Sequence, residues 1–130
     1  MMVRLELKEP YLLATFAGRV SLSEVIEDFK KTCDAAAKRG FDKILVDCLA
    51  VEGELSTLER YELGRTVAEY CQRRSMNPKI ATVGYPPLIN GFGALVASNR
   101  GLVAETFSEF QKVVEWLNRF GSKAAARGTG

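Results

Sequence analysis

Histidine is absent from this 130-residue chain. That omission removes the commonest general base, the Ser–His and Cys–His nucleophile pairs, and the commonest zinc ligand. Any catalysis would have to run on carboxylates, lysine or arginine, so the composition favours binding or regulation. Paired cysteines are missing too. Cys33, Cys48 and Cys71 are odd in number, widely spaced and without the CxxC pattern of zinc or redox sites, and each falls where an apolar residue would suit a core face. They are expected to be buried and reduced, as in a cytoplasmic protein, and no metal or cofactor is expected. No apolar run approaches the ~20 residues that span a bilayer, and no N-terminal segment joins a basic start to a long apolar stretch. This predicts a soluble, unexported protein without a transmembrane segment, peripheral membrane contact staying open. Strong charge of one sign is also lacking. Its 18 basic and 16 acidic side chains intersperse to a net charge of +2, without the basic concentration that a nucleic-acid partner calls for.

What is present suits one globular domain. Apolar residues make up 47% and charged residues 26%, and a chain of this length buries roughly two-thirds of its unfolded surface. Val3–Lys8 alternates apolar and polar, the period of a half-exposed strand, and Tyr11–Ala17 reads as its hairpin partner across Glu9-Pro10. Ser21-x-x-Glu24 is a capping box opening a helix to Arg39, with Leu22, Val25, Ile26, Phe29, Cys33, Ala36 and Ala37 along one face and Gly40 as its stop. Lys43–Cys48 (KILVDC) is the run expected of a central strand, and Leu49–Leu55 reads as loop. Ser56-x-x-Glu59 is a second capping box, starting a helix to about Arg74 whose inward face is read as Leu58, Tyr61, Ala68 and Cys71, with Glu69 and Arg73 placed for an i,i+4 pair. Lys79–Gly84 predicts a strand, Leu88–Asn99 a helix with Ile89, Phe92, Leu95 and Val96 on one face, and Val103–Phe107 a last strand. Ser108-x-x-Gln111 is a third capping box, before a helix carrying Phe110, Val113, Val114, Leu117 and Phe120. The order is ββαβαβαβα. Strands alternating with helices call for a parallel sheet with right-handed crossovers, and the hairpin makes it mixed.

KILVDC at the central strand, the helix opening LSTLERYELG and the ending NRGLVAETFSEFQKVVEWL together resemble the STAS-like domains of the SpoIIAA-like family, from about Val3 to Leu117. The resemblance implies a mostly parallel sheet wound as a (βα)n superhelix, over residues 1–120 with a flexible tail at 121–130, in a small cytoplasmic bacterial protein. Distant relatives are phosphorylatable antagonists of anti-sigma factors, and the fold has been likened to lipid-carrying CRAL-TRIO domains. One departure counts against phosphoregulation. The antagonists carry an Asp-Ser-x-Gly-like motif at the helix start after the central strand, and GELSTLERYELG has no such motif.

Candidate site residues follow. Ser56 is either a plain N-cap or a phosphoacceptor at a helix N-terminus, with Thr57 beside it. Asp47, at the end of an apolar strand, either accepts loop amides or serves as a functional carboxylate. Glu52 and Glu54 flank Gly53 and read as solvated charges. Gly91-x-Gly93 does not make a dinucleotide loop, because Val96 stands where the third glycine belongs. Tyr85–Leu95 (YPPLINGFGAL) is either core or an exposed lid or contact patch through Tyr85, Leu88, Ile89 and Phe92. Arg60, Arg65 and Arg100 are placed to line an anionic groove beside it. The expected function is a non-enzymatic module binding a protein partner or a second copy of itself through the Leu49–Arg60 edge and the Tyr85–Phe92 segment; the alternative is a carrier of a small apolar or lipid-like ligand between Leu88–Asn99 and the sheet. An enzyme would need a cleft gathering Asp47, Glu52 and Arg60.

Overall fold

Alternation, capping and β-branched runs resolve, in a computed structural model describing residues 1–121, into five strands and four helices. In chain order these are β1 (Met2–Lys8), β2 (Tyr11–Arg19), α1 (Leu22–Arg39), β3 (Lys43–Glu52), α2 (Thr57–Arg73), β4 (Lys79–Val83), α3 (Phe92–Asn99), β5 (Val103–Phe107) and α4 (Phe110–Leu117). The order is the ββαβαβαβα read from the sequence. The tail expected over 121–130 lies, apart from Gly121, outside the described residues.

The strands lie side by side in the order β1-β2-β3-β4-β5, β1 antiparallel to β2 and the other neighbours parallel. Right-handed crossovers between strands that advance in one direction place every connecting helix on the same face. Accordingly Val25, Cys33 and Ala36 of α1 and Val67, Ala68 and Cys71 of α2 share one core with Leu12, Phe16, Ile44, Val46 and Ile80 of the sheet. The opposite face is covered by α4, where Val113 and Leu117 pack on Leu45, Ala81 and Val83. Being covered on both faces, β3 is apolar without alternation: Ile44, Leu45 and Val46 are all fully buried in the middle strand.

Helix α1 starts at Ser21, whose hydroxyl accepts the Glu24 amide, and ends on Gly40 at φ 79°, a left-handed conformation that costs glycine nothing. Its capping box is half formed. The Glu24 carboxylate turns to the Met1 ammonium 2.8 Å away, which holds that carboxyl below its ordinary range.

Five expectations are corrected. Residues 49–52 belong to β3 and are not loop, because β2 runs on to Arg19 and offers partners to Ala50, Val51 and Glu52. Between the pairs Thr15–Asp47 and Ala17–Ala50 the β3 side has one extra residue, a bulge. Helix α3 begins at Phe92 and not at Leu88, since the Phe92 amide goes to Asn90 Oδ1 at 3.0 Å and the Leu88 carbonyl to an arginine at 2.6 Å. The third capping box does not form; α4 is capped at Glu109 without a side-chain bond, and the Lys112 and Val113 amides take its carbonyl. The inward face of α2 is Arg60, Gly64, Val67, Ala68 and Cys71, with Leu58 and Tyr61 turned outward. Glu69 pairs with Arg65 at 2.8 Å in place of Arg73.

Gly64 explains that rotation. A Cβ there would lie 2.4 Å from the Gly93 carbonyl oxygen and 3.0 Å from Val96 Cβ. Helices α2 and α3 touch backbone to backbone at this point, which only glycine permits, and the close approach fixes which side of α2 faces in.

Candidate functional site

The parallel strands β3 and β4 end at a common rim. On the β3 side, the bulge leaves an amide outside the ladder, and Asp47 Oδ1 accepts it from Leu49 at 2.9 Å. This carboxylate therefore has a structural partner. The chain then turns through Gly53 to Ser56, where the capping box is complete. The Ser56 hydroxyl accepts the Glu59 amide at 3.1 Å, and the Ser56 amide donates to Glu59 Oε1 at 2.9 Å. Ser56 and Thr57 are both exposed.

On the β4 side, Tyr85, Pro86 and Pro87 face this turn across an open cleft of about 370 Å³, whose other wall includes Leu49, Gly53 and Glu54. Arg60 joins the two walls from beneath. Its guanidinium is buried and donates to three carbonyls: Leu55 at 3.0 Å, Leu88 at 2.6 Å and Pro87 at 2.7 Å. With Glu54 at 3.9 Å, most of its donor fork is committed inside the protein.

Beneath Leu88 and Ile89 lies an apolar cavity of about 110 Å³, walled by Phe16 and Phe29, by Leu63 and Val67 of α2, and by Gly91 and Ala94 at the start of α3. Leu88 and Ile89 are half-buried against the core; Phe92 is half-buried as the first residue of α3. The stretch from Tyr85 is thus mixed: its aliphatic residues close the cavity and its tyrosine stands out. Leu49 and Tyr85 on the two walls of the cleft keep 45% and 59% of their surface in solvent, and Leu58 in the first turn of α2 keeps 72%.

No family model and no curated protein matches the chain. Solved structures do. An anti-sigma factor antagonist from Mycobacterium paratuberculosis superposes with a TM-score of 0.60 at 10% identity, over 90% of this chain and 93% of that one. An uncharacterized protein of the DUF3478 family from Shewanella loihica PV-4, described as having a SpoIIAA-like fold, gives 0.51 at 16% identity, over 89% of this chain and 92% of that one. The fold is SpoIIAA-like. The resemblance drawn from KILVDC, LSTLERYELG and the C-terminal stretch therefore holds at the level of architecture.

In this SpoIIAA-like fold the remaining candidates separate. The anionic groove is not assembled. Arg60 is used internally, Arg65 is held by Glu62 and Glu69 at 2.8 Å each, and Arg100 donates to the Tyr61 hydroxyl at 2.8 Å while lying over its ring. Neither Asp47 nor Glu52 lines the cavity that Arg60 borders, so the three are not gathered as a catalytic cleft requires. The cysteines are free and buried. Burial pushes the Cys48 thiol up to about 12. Cys33 and Cys71 touch at 3.8 Å between α1 and α2, and their mutual hydrogen bond raises Cys33 and lowers Cys71. Among the described residues no cluster of side chains is suited to a metal ion, and no helix is long and apolar enough to cross a membrane.

Sequence reasoning names both residues that shape the rim but orients them the wrong way round. Apolarity reads Leu58 as core and charge reads Arg60 as surface, whereas the structure exposes the first and buries the second. The signal that separates them is Gly64. Counting back four residues from a helix contact that demands glycine puts Arg60 inward and leaves Leu58 out.

Proposed function

We propose that this chain is a non-enzymatic regulatory module that recognises a protein partner through the rim formed by Leu49, Leu58 and Tyr85. The carrying observation is the exposure of these three apolar side chains on backbone held in place by the Ser56–Glu59 capping box and by Arg60. Anchors of this kind on a preorganised surface suit protein recognition, where a few buried apolar or aromatic residues dominate the affinity. The shared fold of an anti-sigma factor antagonist supports a regulatory reading. The test is affinity capture with the intact protein against a Leu58→Asp/Tyr85→Asp variant and a Lys112→Glu control on α4. The reading requires a protein captured by wild type and by the control, and lost from the rim variant. Equal capture by all three would refute it.

Ser56 is proposed as the regulatory point of that rim. A phosphoryl group there would set negative charge beside the exposed apolar side chains and the Glu59 carboxylate, changing what the rim can dock against.

A second reading rests on the cavity, which suits a small apolar ligand. At about 110 Å³ it is smaller than the roughly 150 Å³ apolar cavity known to admit benzene. A lipid-like chain would therefore require Leu88 and Ile89 to swing out. Native mass spectrometry decides this: a co-purifying small mass favours the carrier, and its absence across preparations removes that reading.

A further inference from the structure

Strand β1 is an edge of the sheet, paired with β2 on one side only. Its outer side presents backbone donors and acceptors that can template another strand. The register against β2 sorts its side chains by face. Val3, Leu5 and Leu7 lie opposite Phe16, Ala14 and Leu12, on the face that carries the larger core. Arg4, Glu6 and Lys8 lie on the other face. Leu5 and Leu7 keep 38% and 51% of their surface in solvent although they point to the core side. Arg4 and Lys8 are exposed and Glu6 is half-buried between them, reached along its own strand by Arg4 at 3.4 Å and by Lys8 at 3.9 Å.

This strand is complementary to itself. Laid antiparallel to a second copy about a two-fold axis through Leu5, residue numbers in each facing pair sum to ten. Leu5 then faces the second copy's Leu5, Val3 faces its Leu7, and Arg4 faces its Glu6, the last two pairs occurring twice by symmetry. Facing residues share a face of the sheet, so one side gains a continuous apolar row and the other two cross-strand ion pairs. Neighbouring registers fail on charge. Centring on Arg4 sets arginine against arginine, and centring on Glu6 sets glutamate against glutamate and Arg4 against the second copy's Lys8.

We propose that β1 is the homodimerisation edge of this protein, joining two five-stranded sheets into one of ten strands. This surface is separate from the rim, so the inference stands without the partner-binding reading. A two-fold dimer would also present two rims to a multivalent target.

Sedimentation equilibrium of the full chain, over concentrations reaching about 1 mM, tests it with Arg4→Glu, Glu6→Arg and the double variant. The expected result is a mass rising from 14.4 kDa toward twice that value. Each single reversal acts at both symmetric pairs and should weaken association about tenfold or more, and the double reversal should restore it. Arg4 is exposed and Glu6 half-buried at the sheet edge, and circular dichroism checks that each of the three variants stays folded. A single-chain mass at every concentration overturns the proposal. So does a dimer indifferent to the single reversals, or one that the double reversal leaves weakened.

Discussion

Replacing Arg60 by methionine keeps the length of the side chain and removes its guanidinium. The structure sets the scale of the loss. Three charged N–H donors are withdrawn from the carbonyls of Leu55, Leu88 and Pro87, at 3.0, 2.6 and 2.7 Å. Hydrogen bonds to charged groups contribute about 1.5–3 kcal/mol each. Their sum overstates the effect, because water reaches the partly buried Pro87 and Leu88 carbonyls, and because removing a buried charge recovers desolvation energy. A net cost of about 3 kcal/mol follows, which for a domain of this size lowers the melting temperature by about 10 °C. Arg60→Lys retains the charge but not the planar fork, and should recover less than half of the loss. Two measurements check this. Thermal unfolding followed by circular dichroism gives the stability. Hydrogen exchange at the Ile89 amide, bonded to the Tyr85 carbonyl at 3.0 Å, reports whether the segment over the cavity has loosened. A methionine variant that melts within about 1 °C of wild type, with Ile89 exchange unchanged, would refute the clamp.

Three further outcomes follow from the same geometry. Gly64→Ala would stabilise an exposed helix, but here it sets a Cβ 2.4 Å from the Gly93 carbonyl oxygen; a net loss of about 2 kcal/mol is expected by denaturant titration, and a gain would contradict the α2–α3 contact. Asp28 is buried with Oδ2 unpartnered, and burial raises its pKa above 3.8 despite Lys31 nearby. The stabilisation from its protonated form is complete below the unfolded value and disappears as pH rises through the folded one, so Asp28→Asn should melt above wild type at neutral pH and lose that advantage by about pH 3; a gap constant with pH would contradict this. Ser56→Ala should cost about 1 kcal/mol, whereas Ser56→Asp keeps an equally good cap. Partner capture lost in the aspartate variant at an unchanged melting temperature therefore reports charge, and unchanged capture ends the phosphoswitch reading.

Much of the fold was legible because local signals and burial agree. Ile44–Val46 is apolar on consecutive residues since helices cover both faces of β3, and the Ser21 and Ser56 caps sit where their sequence spacing puts them. The illegible parts were decided by distant partners. Arg60 looks like a surface residue until carbonyls 27 and 28 positions away converge on it. Residues 50–52 run into Glu52-Gly53-Glu54, which reads as loop, yet β2 supplies them with a ladder. Leu58 satisfies an apolar helix pattern, but the glycine contact between α2 and α3 rotates it into water. At the rim, the sequence proposes Ser56, Thr57, Asp47, Arg60 and Tyr85 as candidates, and these lie around the ends of β3 and β4 and the start of α2. It did not show that Asp47 and Arg60 serve the backbone while Leu49 and Leu58 face outward, since composition carries no information about which donors are already satisfied.

The central claim, recognition of a protein at the strand-end rim, is tested most directly by placing a photoreactive amino acid at Leu58 and, separately, at Lys112 on α4, and irradiating cells that make the protein. The account predicts a discrete protein adduct from position 58 that is missing from position 112. An equal yield at both positions, or no adduct at position 58, would contradict it.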